Sequence, residues 1–369
     1  MIHRNGFLAP AKRAAISIAA AALFLIIAAA GTIMQPLRAA SSKAGSCNMQ
    51  AYTLSAQASQ KLIEYAMPQP NSDLMSTLVG SDGNIWLGEM GQNLLGRFNP
   101  ATHILDEWPV PNGHNGVMDM AAGAAGDIWF AEEAGGFIGH FQPQTCAFTE
   151  YPLTAQSGAR PSPVGLTIAP DGKVWFTDIS TGLFGYVDPV SQSVRTYFLP
   201  ELDTPGTPIP YDIAADSAGN VWIALISSPQ IVRFHPATSE FYTYTVPIAQ
   251  AQINAITVAP NGAVWFAVMS GALGEITPGA SAPKIFTPPA AFGNVEQLYS
   301  LLYDIHGNIW VTSSNANALI RFNPAQGEWS LAKLPAPESA PYGISESPSG
   351  SIWFTEGAQG ANRFGVLTP

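Results

Sequence analysis

The chain has 369 residues, of which only 11% are charged, and it contains 34 Gly and 31 Pro. Such a composition suits many short strands joined by tight turns and leaves little room for charged, amphipathic helices. The formal net charge of −11 argues against nucleic acid and against anionic membrane surfaces as partners.

At the N-terminus, Arg4, Lys12 and Arg13 precede an uncharged stretch from Ala14 to Met34. A basic region followed by an apolar one is the order of a signal peptide. With Pro36 as breaker, the cut is expected near Ala39 or Ala40. The stretch is also close to the ~20 residues that span a bilayer, so an uncleaved membrane anchor over residues 14–34 is the alternative. Either way, the basic flank stays inside and the remainder is extracytoplasmic, secreted or periplasmic. Residues 1–40 therefore read as signal peptide or signal anchor, 41–60 as an extracytoplasmic linker, and 61–369 as one repeat domain. Without residues 1–40 the chain keeps 11 basic and 26 acidic residues, a net charge of −15.

From residue 61 onward one hairpin recurs seven times. Its clearest copy runs Pro170-Asp171-Gly172-Lys173-Val174-Trp175-Phe176-Thr177-Asp178, and the others centre on Trp86, Trp129, Trp222, Trp265, Trp310 and Trp353. Successive tryptophans lie 43, 46, 47, 43, 45 and 43 residues apart. A repeat of ~40–50 residues with a Gly turn and a Trp strand predicts a β-propeller with one blade per repeat. The predicted fold is thus all-β, a seven-bladed propeller with four strands per blade, here called a to d. Asp-Gly and Asn-Gly between strands a and b are strong signals for two-residue hairpin turns. The tryptophans, one per blade on strand b, are expected to fill the space between blades.

The seventh repeat ends after Arg363-Phe364-Gly365-Val366-Leu367 and lacks a strand d. Residues 61–68, Lys61-Leu62-Ile63-Glu64-Tyr65-Ala66-Met67-Pro68, read like a strand d with no blade of their own. The N-terminal strand is therefore expected to complete the last blade and close the ring. Two cysteines occur, Cys47 and Cys146. In an exported protein such a pair favours a bridge. The segment from Cys47 to Gln60 stretches to about 46 Å at ~3.3 Å per residue, enough to pass one blade and permit it.

In a ring whose innermost strand is a, the start of a and the end of b lie at one mouth of the channel. Two positions per blade are therefore candidates for chemistry. Three residues after each Trp stand Glu89, Glu132, Asp178, Leu225, Val268, Ser313 and Glu356. Eleven before it stand Met75, Met118, Val164, Tyr211, Asn254, Tyr299 and Tyr342, with Asp119 and Asp212 next to two of them. The mouth is expected to have an acidic half and a Tyr/Asn/apolar half. Oxygen ligands of this kind suit Mg²⁺ or Ca²⁺, with Glu89, Glu132, Asp178 and Glu356 as the candidate metal set. Tyr211, Asn254, Tyr299 and Tyr342 are the candidate ligand-binding set. His114 is the one histidine expected beside the mouth, and with Tyr342 it forms the candidate catalytic pair.

The unit Pro341-Tyr342-Gly343-Ile344 through Ser351-Ile352-Trp353-Phe354-Thr355-Glu356, with Thr149-Glu150-Tyr151-Pro152-Leu153 as a strand d, resembles the streptogramin B (virginiamycin B) lyases. The resemblance covers all seven repeats. It implies a seven-bladed propeller and a Mg²⁺-dependent elimination that opens a cyclic depsipeptide antibiotic. It also implies histidines after the proline that opens strand a, and acids that help hold the metal. Those histidine positions here are Tyr211, Asn254, Tyr299 and Tyr342, so the reading is an exported propeller that binds a small molecule or peptide at its mouth as a monomer. An active lyase, or a related metal-dependent lactonase-like enzyme, is the alternative.

Overall fold

The turn between strands a and b is built by its Asp or Asn and its Gly in separate roles. In blade 3 the Gly172 N–H donates to the Ala169 carbonyl at 2.8 Å, and the Asp171 carboxylate accepts the Lys173 N–H at 3.2 Å. Gly83, Gly172, Gly219, Gly262, Gly307 and Gly350 all have φ between 77° and 82°, while Asp82 and Asp171 stay at negative φ. These turns are therefore longer than the two-residue hairpins expected from the sequence. The short acidic side chain caps the turn instead of entering the left-handed region itself. In blades 4 and 6 an aspartate at the position of Ala169 reaches the tryptophan: Asp216 and Asp304 accept the indole N–H of Trp222 and Trp310 at 2.9 and 2.8 Å.

The computed structural model describes residues 40–41, 47–59, 61–113, 116–155, 158–202, 207–357 and 361–369. The predicted signal segment and anchor, residues 1–40, lie almost wholly outside these residues, as does His114. The described strands make a seven-bladed β-propeller of antiparallel blades. Blade 1 spans 74–109, blade 2 117–152, blade 3 163–198, blade 4 210–245, blade 5 253–286 and blade 6 298–333. Blade 7 comprises 341–367 together with Leu62–Ala66, which pairs antiparallel with Arg363–Leu367. Among the described residues no helix is long and apolar enough to cross a membrane.

Packing between blades follows from strand alternation. Each Trp leaves its own blade and enters the next: Trp86 lies 6.0 Å from Phe141, Trp175 5.9 Å from Phe234, and Trp265 6.1 Å from Phe322. An aromatic from strand d covers it, as in Trp86–Trp108 and Trp222–Tyr244, 5.7 and 5.3 Å apart. Such pairs contribute about 0.5–1.5 kcal/mol each beyond their burial. The opposite face of each blade uses one of two solutions. Phe130 lies across from Gly139 and Phe266 from Gly274. A Cβ on either glycine would sit 2.1 or 2.0 Å from the ring. In blades 4 and 6 both partners are β-branched instead: Ile223 faces Val232, and Val311 faces Ile320.

The segment before the closing strand forms a strap along three outer strands. Ala56–Ser59 pairs with Leu62–Ala66 of blade 7, Gln50–Thr53 with Ile104–Pro109 of blade 1, and Ala40–Ser41 with Ala147–Pro152 of blade 2. Blades 7, 1 and 2 thereby become five-stranded, while blades 3 to 6 keep four strands. A disulfide between Cys47 and Cys146, with Cα atoms 5.4 Å apart, ties the strap to blade 2.

Candidate functional site

A β-bulge marks the start of strand a in every blade. The register with strand b slips between Leu74 and Ser76, at Val117–Asp119, and between Pro163 and Leu166, Pro210 and Ile213, Ile253 and Ala255, Leu298 and Leu301, and Pro341 and Ile344. The slipped residues include all seven that stand eleven before a Trp. Bulges re-aim side chains. Here they turn Met75, Met118, Val164, Tyr211, Asn254, Tyr299 and Tyr342 toward the axis, where all seven line one cavity of about 420 Å³.

Hydroxyls of strand b hold the bulges in place. Thr177 accepts the Gly165 N–H at 3.0 Å and donates to the carbonyl of Tyr211 in the next blade. Thr312 accepts the Ser300 N–H at 3.1 Å and donates to the carbonyl of Tyr342 at 2.8 Å. So positioned, the Tyr211 and Tyr342 hydroxyls meet across the channel at 2.5 Å. The Tyr299 ring stacks on Tyr342 at 4.6 Å. Burial raises the pKa of all three phenols, for Tyr211 and Tyr342 well above the ordinary value. At neutral pH they are neutral hydrogen-bonding groups and not bases. Asn254 is 3% exposed; its amide nitrogen turns to the Met269 sulfur at 3.7 Å and its Oδ1 has no partner.

The residues three after each Trp go elsewhere. None of the seven lines the cavity, and all are buried to within 1% exposure. The sequence expectation of an acidic half of the mouth built from Glu89, Glu132, Asp178 and Glu356 is corrected on placement. Strand b is the second strand out, so its side chains point to the faces of the blade and meet strand d. Strand c carries Gly96, Gly139 and Gly365 between them. Two residues along strand b from the residue opposite each glycine, and so diagonally, Glu89 lies against Glu107, Glu132 against Glu150, and Glu356 against Glu64. Both oxygens of Glu89, Glu132 and Glu356 lack hydrogen-bond partners. The hydroxyls of Ser72 and Ser339, next to Glu89 and Glu356, donate to the carbonyls of Gln69 and Ala336 instead.

Burial, with the charge of Glu107 second, pushes Glu89 up to about 8. Burial, then Glu150, pushes Glu132 up to about 9. Burial raises Glu356 to about 7 and Glu107 to about 7. Glu89 and Glu107, both raised, act as a coupled pair that shares protons at neutral pH. Asp178 is different: its carboxylate accepts the backbone N–H groups of Ser162, Ser180 and Thr181 at 3.0–3.2 Å and the hydroxyls of Ser180 and Thr181 at 3.0 and 2.7 Å.

The four acids thus sit in four blades, each buried within its own surroundings. They do not converge into one ligand set for Mg²⁺. Among the described residues no group of three or more His, Cys, Asp or Glu side chains is placed to hold a metal ion. The described histidines are also engaged elsewhere: His140 stacks on Trp129 at 4.2 Å and meets Asp127 at 3.0 Å, and burial lowers its pKa. The acids that do line the channel are Asp119, Asp212 and Glu346. The first two stand in the sequence directly after mouth residues.

The sequence model of the virginiamycin B lyase family matches residues 53–276. The chain belongs to the virginiamycin B lyase family. Among solved structures it is similar to the virginiamycin B lyase of Staphylococcus aureus, at 22% identity, over 84% of this chain and 99% of that one, with a TM-score of 0.74. A streptogramin B lyase is 24% identical over 83% and 96% of the two chains, also at 0.74. The extracellular domain of a hybrid two-component system of B. thetaiotaomicron is 16% identical over 83% of this chain and 41% of that one, at 0.63. At these identities the likeness to solved structures concerns the fold. No curated protein matches the sequence. Within the lyase family, this chain is a member whose described mouth residues include no histidine.

Proposed function

We propose that the protein is an exported propeller that binds a small molecule or short peptide at the tyrosine-lined mouth, without the lyase reaction. The observation that carries this reading is the hydroxyl pair of Tyr211 and Tyr342 across the channel, backed by the stacked ring of Tyr299. Together with Asn254 these groups offer flat aromatic surface and neutral hydrogen bonds. The cavity of about 420 Å³ falls within the usual range for ligand pockets, ~300–1,000 Å³. An elimination needs a base near its working pH, and neutral phenols with raised pKa values do not supply one. Export is supported by the basic-then-apolar N-terminus and by the Cys47–Cys146 bridge, which persists in oxidising compartments.

Virginiamycin B, used as a probe with Mg²⁺ and followed by mass spectrometry, should yield no linear product. A product that a chelator abolishes would overturn the reading in favour of an active lyase. Cyclic depsipeptides and short peptides screened by tyrosine fluorescence should include a binder. For that binder, Tyr342→Phe and Asn254→Ala should each weaken affinity about 5–10-fold, the loss of one hydrogen bond. Binding indifferent to both substitutions would move the site away from the mouth.

A further inference from the structure

A second cavity, a cleft of about 580 Å³, lies between blades 3 and 4 among their a–b and c–d turns, away from the tyrosine mouth. Lys173, Trp175, Arg195 and Tyr197 line it from blade 3, and the turns at Gly219 and His235 line it from blade 4.

Blade 4 shows how the chain fills such a place from within. The Asp216 carboxylate accepts the Trp222 indole N–H at 2.9 Å and the side-chain N–H of Asn220 at 2.7 Å. Blade 6 repeats this with Asp304, Trp310 and Asn308, both bonds at 2.8 Å. Blade 3 keeps the backbone of the turn: the Ala169 N–H donates to the Lys173 carbonyl at 2.9 Å, as that of Asp216 does to Asn220. It changes the side chains, with Ala169 in place of the aspartate and Lys173 in place of the asparagine. Trp175 is 1% exposed, and its indole N–H has no acceptor among the described residues. A buried donor without an acceptor is costly. Blade 3 thus retains the donors of a carboxylate site without the carboxylate.

The cations of the cleft are only partly used. Lys173 donates to Asp171, and Asp188 also acts on its charge, while the Asp188 carboxylate accepts the Val190 and Ser191 N–H groups. Arg195 is exposed and rests over the Tyr197 ring at 5.2 Å, with no carboxylate partner among the described residues. In blades 1 and 2, which also lack the aspartate, the cationic side chain beside the tryptophan is paired: Arg97 with Asp106 at 2.6 Å, and His140 with Asp127 at 3.0 Å. From blade 4, the Nδ1 of His235 meets the Thr238 hydroxyl at 2.9 Å, and that hydroxyl donates to Glu240 at 2.9 Å. The hydroxyl has one proton to give, so Nδ1 carries the ring proton and Nε2 is left as an acceptor.

We propose that this cleft binds a small hydroxylated carboxylic acid of the uronic-acid class, its carboxylate held by Trp175, Lys173 and Arg195. The ligand carboxylate stands where Asp216 stands in blade 4, with the guanidinium adding a charge-assisted bond. A hydroxyl of the same molecule donates to His235. The volume exceeds the need of an inorganic ion and lies in the range of small-molecule sites, ~300–1,000 Å³. The site is independent of whatever occupies the mouth.

The test uses D-glucuronate, titrated into the full chain while the indole N–H signals are followed by heteronuclear NMR. One signal should move saturably, and it should be the one missing from Trp175→Phe. D-Glucose, which has no carboxylate, should leave it in place. Arg195→Gln, at an exposed position, should weaken binding about tenfold. Ala169→Asp supplies the carboxylate from within, as blades 4 and 6 do. It should move the same signal without any probe, which identifies the signal even where Trp175→Phe fails to fold, and it should abolish glucuronate binding. No indole shift with glucuronate would overturn the proposal. So would an equal response to glucose, or affinity unchanged in Arg195→Gln and Ala169→Asp.

Discussion

Blades 7, 1 and 2 differ from blades 4, 5 and 6 in two ways that occur together. The first three carry a fifth strand from the strap and a buried glutamate pair: Glu356 with Glu64, Glu89 with Glu107, Glu132 with Glu150. In the other three the equivalent positions are Leu225 and Thr243, Val268 and Ile285, and Ser313 and Leu331. In these six blades strands b and d match jointly, acid with acid and apolar with apolar or hydroxyl; blade 3 stands apart, with Asp178 and Thr196 at these positions. A residue on strand b is read correctly only with the residue of strand d that its side chain meets diagonally over strand c.

The largest expected effect breaks the strapped half. A chain starting at Gln69 loses the strand that completes blade 7 and all three strap strands. Its unfolding, followed by calorimetry, should lose cooperativity, and an unchanged transition would refute the closure. Next comes the disulfide. It spans 99 residues, and opening a loop of that size typically costs about 2–4 kcal/mol. Urea unfolding of Cys47→Ser should show that loss, with no comparable change in the blade 3 to 6 strands by hydrogen exchange.

A smaller effect separates the two packing solutions. Gly139→Ala drives a methyl into Phe130 and should cost about 1–3 kcal/mol. Paired with Phe130→Ile, which copies blade 4, it should recover part of that loss.

The glutamate pairs give a pH signature. Glu89, Glu132 and Glu356 are raised from 4.5 to about 8, 9 and 7, so the folded state binds more protons than the unfolded state between about pH 5 and 9. Their contribution is complete below about pH 4.5 and is lost as pH rises through the folded values. The urea midpoint should fall from pH 5 to 9. Glu132→Gln should flatten that fall, and at pH 8 it should be at least as stable as the parent. A parent curve that rises with pH would contradict the pairing. The smallest effect is expected from replacing the pair Glu132 and Glu150 by Leu and Thr, as in blade 4. This should be neutral or slightly stabilising at pH 8, since a buried ionisable pair of this kind contributes little net stability.

The repeat spacing, the Gly turns and the seven tryptophans made the propeller legible from sequence, and the counting of strands pointed to Leu62–Ala66. The mouth residues were legible too, because position within a repeat fixes position around a ring. The acids three past each Trp were not. Their distance along the chain from the mouth is right, but sheet alternation turns them into the blade, and the bulge that re-aims the mouth residues leaves no mark in residue type. Glu107, Glu150 and Glu64 stand on outer strands, and nothing in their sequence context marks them as buried. Only the fold, which sets each of them diagonally against a glutamate of strand b, shows what they meet.

The pairing of Leu62–Ala66 with Arg363–Leu367 has a consequence for how the chain is made. The strand that closes the ring is synthesised before the six other blades, and its partner after them. It must wait, edge unpaired, while six blades assemble. Contacts between residues so far apart in sequence slow folding, and a waiting edge invites pairing with another chain. The Cys47–Cys146 bridge needs only blades 1 and 2 to have emerged. Early oxidation would park the closing strand beside the blade it adjoins, shortening the search that remains when its partner arrives.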